Sequence, residues 1–141
     1  KQLTPYITKV IQQSSWYHDR YIPCLSLIER LANASSTLAD QFMESLVHQI
    51  VLGQIRKSLK IYKKSHSLFD GTSKETIHQQ MLKYQTLASE IKTLGGLMNS
   101  SAINRQHIIT DPVVLDLISI MSHPLTDPIL LTAICQFALD L

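Results

Sequence analysis

Apolar residues recur at intervals of three and four along almost the whole chain, and this spacing constrains the fold more than any other feature. Residues three or four apart lie on one face of an α-helix, so the pattern predicts amphipathic helices that pack through their apolar faces. The alternation of apolar and polar residues that indicates a half-buried strand does not occur. The sequence therefore predicts an all-α fold. A length of 141 residues suffices for one hydrophobic core, so we expect a single helical domain over residues 1–141.

The two longest helices are predicted in the middle of the chain, over about 37–64 and about 73–94. Thr72 and Glu75 form a capping box for the second of these helices, and the pair Gly95–Gly96 is expected to end it. Because only a short turn separates them, we expect the two helices to pack as an antiparallel hairpin.

An earlier helix is predicted over about 16–33, with a kink or a break at Pro23. Trp16, Tyr17 and Tyr21 form an aromatic group at its start. One interpretation is an anchor for a protein partner, because Trp and Tyr are enriched in binding hot spots. The alternative is that these rings pack the first helix of the chain onto the second.

Charge is distributed unevenly along the chain. Residues 1–94 hold twelve Lys or Arg against seven Asp or Glu, a balance of +5, and residues 97–141 hold one Arg against four Asp, a balance of −3. The low total of +2 and the hydrophobic content of 45% argue against an intrinsically disordered chain.

A strip of basic residues is predicted at the end of the first long helix, where the sequence has no acidic residue between Glu44 and Asp70. Its members share one side of the helix through the spacing i, i+1, i+4, i+7 and i+8: Arg56, Lys57, Lys60, Lys63 and Lys64. Three interpretations are open. The strip is a solvated helix face favoured by the helix dipole, a surface for an acidic protein partner, or a surface for nucleic-acid phosphates.

The last 45 residues contain three apolar segments that are typical of short helices. They are Leu97 with Ala102–Ile109, then Val113–Met121, and finally Leu130–Leu139 with the small residue Ala133 in its middle. In this order the segments resemble the three helices of an armadillo-type repeat, and HEAT-like helix pairs would give much the same pattern.

The resemblance implies an armadillo/HEAT-like α-solenoid, in which helical units stack on their neighbours and present an extended concave surface to other proteins. The chain opens on Lys1 and closes on Leu141 in an apolar stretch. We therefore expect a fragment of a larger protein, with longer helices over 1–95 and one repeat over 97–141.

The C-terminal repeat of such a fragment would lack its next neighbour. We expect Ile134, Phe137 and Leu141 to be partly uncovered there, and Phe137 to be available to a partner.

Residues typical of an enzyme do not occur together in the sequence. There is no glycine-rich phosphate loop and no nucleophile elbow. Glu44 and His48 lie four apart, and we interpret them as a surface hydrogen-bonded pair, because their helix offers no further histidine for a metal. Cys24 follows Pro23 on an apolar stripe, which favours a buried structural thiol.

The leading hypothesis is a non-catalytic scaffold or adaptor of a multi-subunit assembly, without cofactor, metal or small-molecule substrate. Its partner would be a protein, such as an acidic peptide or a helix. Another possibility is a compact helical bundle that binds a partner helix in a groove between the two long helices. The alternative is a nucleic-acid-binding helical domain that uses the strip Arg56–Lys64. No apolar run approaches a membrane span and no signal peptide is apparent, so we expect an intracellular protein, nuclear or cytoplasmic.

Overall fold

The computed structural model describes residues 3–13, 20–67, 77–122 and 128–141. Within these ranges the regular structure is entirely α-helical, which confirms the predicted all-α class. The helices are α1 (Leu3–Gln13), α2 (Tyr21–Ala34), α3 (Ser36–Glu44), α4 (Val47–Ser67), α5 (Ile77–Ser100), α6 (Ala102–Ile109), α7 (Val113–Ile120) and α8 (Pro128–Asp140). None of the helices in the described part of the chain is long and apolar enough to cross a lipid bilayer.

The α5 helix is the centre of the fold, because α2, α4, α6 and α8 all pack against it. A helix surrounded in this way is buried on most of its circumference rather than along one stripe. Accordingly, every residue from Thr93 to Met98 is buried. The core that forms around α5 includes Leu25 and Ile28 of α2 and Ile55 of α4.

The prediction of one continuous helix over 37–64 is wrong. This segment forms two helices, α3 and α4, because the helical conformation is interrupted between Glu44 and Val47. Leu46 adopts φ 60°, in the left-handed region, and is half-exposed. In an uninterrupted helix, Phe42 and Val47 would point about 140° apart. The break brings both side chains into the core, where each has 0% exposure.

The predicted end of the second long helix at Gly95–Gly96 is also wrong, because α5 continues to Ser100. Both glycines are buried within the helix. A Cβ at Gly96 would lie 3.0 Å from Cγ and 3.5 Å from Cα of Glu29. The glycine therefore allows α2 to approach α5 closely, and this packing outweighs its tendency to end a helix. The capping box of Thr72 and Glu75 lies outside the described residues.

The α2 helix continues through Pro23 without interruption, contrary to the predicted break. Its described part begins at Tyr21, which places Pro23 in the first turn. A backbone N–H there has no partner within the helix, so proline removes no hydrogen bond.

Three short helices, α6 to α8, lie where the sequence predicts the C-terminal apolar segments. Ser101 begins α6 by accepting a hydrogen bond from the backbone N–H of Asn104 at 3.4 Å. Arg105 of α6 donates to the backbone carbonyls of Asp140 and Leu141 at 2.6 and 3.2 Å, and so fastens the end of α8.

Candidate functional site

A polar cleft of about 280 Å³ lies between α4 and the turn that joins α6 to α7. Its lining consists of side chains that could donate or accept hydrogen bonds, with one leucine: His48, Gln49, Leu52, Arg56, His107 and Asp111. Four of these residues come from α4, one from the end of α6 and one from the following turn. The cleft thus brings together residues that are separated by about 60 positions in the sequence.

His48 is the most unusual group in this cleft because it is almost completely buried, with 2% exposure. Among the described residues, neither ring nitrogen has a hydrogen-bond partner. The ring of His107 lies beside it, with 5.5 Å between the two ring centroids. Burial, and secondarily the charge of His107, lower the pKa of His48.

The predicted surface pair of Glu44 and His48 is wrong. The α3 helix ends at Glu44, so the two residues do not share a helix. Glu44 lines a separate cleft with Thr4 and Pro5, whereas His48 is turned into the interior.

An ion pair links two of the residues that line the polar cleft. The guanidinium of Arg56 donates to the carboxylate of Asp111 across α4 and the α6–α7 turn. The same carboxylate accepts a hydrogen bond from the backbone N–H of Val113 at 2.9 Å, at the start of α7. Asp111 therefore connects the first turn of α7 to α4.

This ion pair changes the expected composition of the basic strip. Arg56 is paired with an acid that is distant in the sequence. Lys57 and Lys60 are exposed on α4. The backbone of Lys63 and Lys64 belongs to α4, and their side chains lie outside the part of the structure that is described.

The other predicted partner-binding residues do not form a common site with the cleft. Trp16 and Tyr17 lie outside the described residues. Phe137 and Ile134 are buried, at 2% and 0% exposure, so the prediction that they are uncovered is wrong. The Phe137 ring packs over Gly95, 3.7 Å from the position that a Cβ would occupy. Leu141 is 44% exposed, as predicted.

A buried carboxyl group, which the sequence analysis missed, joins three helices. Glu90 of α5 has 1% exposure and accepts hydrogen bonds from Tyr21 of α2 and from Ser58 of α4, the latter at 2.5 Å. Burial raises its pKa to about 7. The pKa of Tyr21 is also raised, first by burial and then by the charge of Glu90.

A sequence signal for Glu90 does exist. It stands on the apolar stripe of α5, three residues after Leu87 and four before Leu94, and both leucines are buried. An acid in the middle of such a stripe indicates a buried and hydrogen-bonded carboxyl.

A group of exposed apolar side chains, which the sequence did not predict, lies along α7 and at its end. Leu115 is 73% exposed, and Ile118 and Met121 are each 36% exposed. Leu115 and Ile118 lie three residues apart on α7, and Met121 directly follows the last residue of the helix. These three residues are hereafter the α7 apolar face. On α8, the large exposed side chains are those of Ile129 and Leu139.

The groups that could carry metal or thiol chemistry are few. Within the described ranges, no set of three or more His, Cys, Asp or Glu side chains is arranged to hold a metal ion. Cys24 is partly buried, and burial raises the pKa of its thiol. A raised pKa disfavours the reactive thiolate, which agrees with a structural role.

The fold defines an all-α protein whose outer helices surround the central α5. No family model, curated protein or solved structure matches this chain.

Proposed function

We propose that this chain is a non-catalytic protein-interaction module of a larger assembly, and that the α7 apolar face receives a helix of the partner. The exposure of Leu115 supports the proposal, because 73% of this large side chain is accessible, and Ile118 and Met121 of the α7 apolar face are also exposed. Burial of a leucine side chain stabilises a complex by about 1.5–3 kcal/mol. Contiguous apolar side chains at a surface are typical of interaction sites.

A helix is the partner that suits this face best. The eight residues of α7 span about 12 Å, with Leu115 and Ile118 three residues apart on it and Met121 immediately after its end. An amphipathic helix with apolar residues at i, i+3 and i+7 presents a stripe of matching length.

The architecture is proposed to be an armadillo/HEAT-like solenoid fragment. The order of the short helices α6, α7 and α8 supports this, as does the pairing of α4 with α5. Ser58 contacts Glu90 and, further along α4, Tyr62 contacts Tyr84. The second contact lies later in α4 but earlier in α5, which favours an antiparallel hairpin.

Charge substitution on α7 tests the proposed function. Leu115→Asp should reduce capture of the partner from a quantitative affinity purification by at least about tenfold, since one lost leucine contact is worth roughly that factor. Gln106→Asp is the matched control, because Gln106 is exposed on α6 and the variant adds the same charge without removing apolar area from the α7 apolar face. Equal capture of all proteins by both variants would refute the proposal, provided that circular dichroism shows both variants folded.

Nucleic-acid binding is the second candidate, supported by the exposed Lys57 and Lys60. Charge reversal at these lysines should abolish a gel shift that weakens steeply between two salt concentrations. No measurable binding by the unmodified chain would exclude this candidate.

A further inference from the structure

Two contacts hold the end of α6 and the start of α7 against α4. One is the ion pair of Arg56 with Asp111, and the other is the contact between the His48 and His107 rings, whose planes are tilted by 40°. Both contacts lie in the same polar cleft. We call the arrangement in which the α6–α7 segment lies against α4 the closed arrangement. In it the His48 ring is buried and uncharged, so the contact of His48 with His107 depends on the protonation state of His48.

A protonated His48 would have no favourable place in this cleft. An imidazolium carries two N–H donors, and neither ring nitrogen of His48 has an acceptor among the described residues. A buried charge without a hydrogen-bond partner is strongly disfavoured. The ring of His107 lies 5.5 Å away between ring centroids, and its charge further disfavours a charge on His48.

The charged groups around His48 do not compensate for such a charge. Those that line the cleft are Arg56 of α4, His107 of α6 and Asp111 of the α6–α7 turn. The only carboxylate of this set is already paired with Arg56.

The described acids and bases of the neighbouring helices do not line the cleft. Glu44 of α3 lines another cleft, beside α1. Glu90 of α5 bonds Ser58, which lies ten residues, or about 15 Å, further along α4 than His48. Asp116 of α7 is exposed, and Arg105 of α6 is bonded to the carbonyls that end α8.

We propose that this cleft is a proton-sensitive latch, in which protonation of His48 releases the α6–α7 segment from α4. With the His48 imidazole charged, the cleft holds a second cation beside Arg56 and only one carboxylate, that of Asp111. Opening exposes His48 to water, which solvates its two N–H groups, and separates it from His107. The α7 apolar face moves with the segment, so mild acid alters the surface on which the proposed partner would dock. The latch itself does not depend on the proposed function.

The direction of the effect follows from linkage. Burial and His107 lower the pKa of His48 in the closed arrangement, so the closed form binds fewer protons than the open form. The closed form is therefore favoured above about pH 6.5, the ordinary histidine pKa, and loses stability as the pH falls below it.

Hydrogen exchange with mass spectrometry tests the latch on the whole chain. After correction for intrinsic exchange rates, amides of residues 102–120 should exchange about tenfold faster near pH 5 than near pH 7.5. Amides of α5 around Glu90 should not exchange faster near pH 5, because protonation of Glu90 stabilises the fold there. An equal change in both regions, or no change in residues 102–120, would overturn the proposal.

Substitutions separate the latch from general acid sensitivity. His48→Phe keeps an aromatic ring in the core and should remove the acid response of residues 102–120. Glu90→Gln is the control and should retain the response, since the Glu90 carboxyl on α5 bonds Ser58, about 15 Å along α4 from His48. An acid response that survives His48→Phe contradicts the latch.

A second variant keeps the test valid if His48→Phe does not fold. His107→Gln removes the neighbouring charge that lowers the pKa of His48, so the NMR titration midpoint of His48 should move to higher pH. An unchanged midpoint would show that the two rings are not coupled, and would overturn the proposal.

Discussion

The hydroxyl of Tyr21 in α2 donates a hydrogen bond to the carboxyl of Glu90 in α5, although 68 residues separate them in the chain. Ser58 of α4 donates to the same carboxyl at 2.5 Å. One buried acid thus joins the three helices at the centre of the fold. Because Glu90 has 1% exposure, its ionisation affects the stability of the whole molecule.

Glu90→Gln should make the chain less sensitive to pH between 4.5 and 7. Burial raises the folded-state pKa of Glu90 from 4.5 to about 7, so the folded protein binds a proton that the unfolded chain has released. The resulting stability is fully present below pH 4.5 and is lost as the pH rises through about 7. The loss is on the order of a few kcal/mol. Urea denaturation at several pH values measures the slope, and an identical slope in the variant would contradict the assignment.

Tyr21→Phe should destabilise the fold more at pH 7 than at pH 5. The hydrogen bond from Tyr21 favours the charged form of Glu90, and its loss leaves the carboxylate with one donor fewer. A lost hydrogen bond to a charged group costs about 1.5–3 kcal/mol. Tyr6→Phe is the matched control, because Tyr6 is 60% exposed and its hydroxyl should contribute little. Thermal unfolding at the two pH values tests the difference. Equal losses of stability at pH 5 and pH 7 would show that the contribution of Tyr21 does not depend on the ionisation of Glu90.

Two glycine substitutions in helices should act in opposite directions. Nothing lies within 4 Å of the Cβ that Gly53→Ala would add to α4, so this variant should be stabilised by about 0.5–1 kcal/mol. The Cβ of Gly96→Ala would lie 3.0 Å from Cγ of Glu29 and would push α2 away from α5. We expect a net loss of about 1 kcal/mol, within the range for overpacking. Chemical denaturation of both variants compares them, and equal stabilisation would show that α2 and α5 adjust without cost.

Leu46→Gly should stabilise the chain, because Leu46 holds φ 60° between α3 and α4 while its side chain is half-exposed. Left-handed backbone costs a residue with a Cβ roughly 1–2 kcal/mol, and glycine avoids this cost. The expected gain is about 0.5–1 kcal/mol, after the entropy of glycine in the unfolded chain is included. Leu46→Ala retains a Cβ and should show no gain in the same unfolding measurement. If both variants behave alike, the backbone at this position is not strained.

Local patterns in the sequence predict the helical class and the approximate positions of α2 and of α4 to α8. These patterns do not predict the features that depend on packing between segments distant in the sequence. Nothing near Ser45 indicates the break, which arises because Phe42 and Val47 must both reach the core. The Gly95–Gly96 pair has the composition of a helix end, but close packing of α2 on α5 determines its conformation.

The candidate site could not be predicted for the same reason. His48 and His107 become neighbours only when α6 packs against α4, so the sequence offers no spacing that links them. Asp111, which pairs with Arg56, lies 55 positions further along the chain than the basic strip residue that it contacts. The Glu90 cluster is the exception, since an acid between Leu87 and Leu94 on an apolar stripe is visible in the sequence.

The two roles of Asp111 can be separated by substitution. Asp111→Asn keeps a side-chain oxygen for the N–H of Val113 but removes the charge that pairs with Arg56. Half of the Arg56 side chain is exposed, so the pair is screened by solvent and its loss should cost less than about 1 kcal/mol. Asp111→Ala also removes the bond at the start of α7 and should cost about 1 kcal/mol more.

Equilibrium unfolding of the two variants, repeated in high salt, measures both costs. Salt should reduce the effect of Asp111→Asn and leave the difference between the variants unchanged. Equal losses in the two variants would mean that Asp111 acts through the ion pair alone.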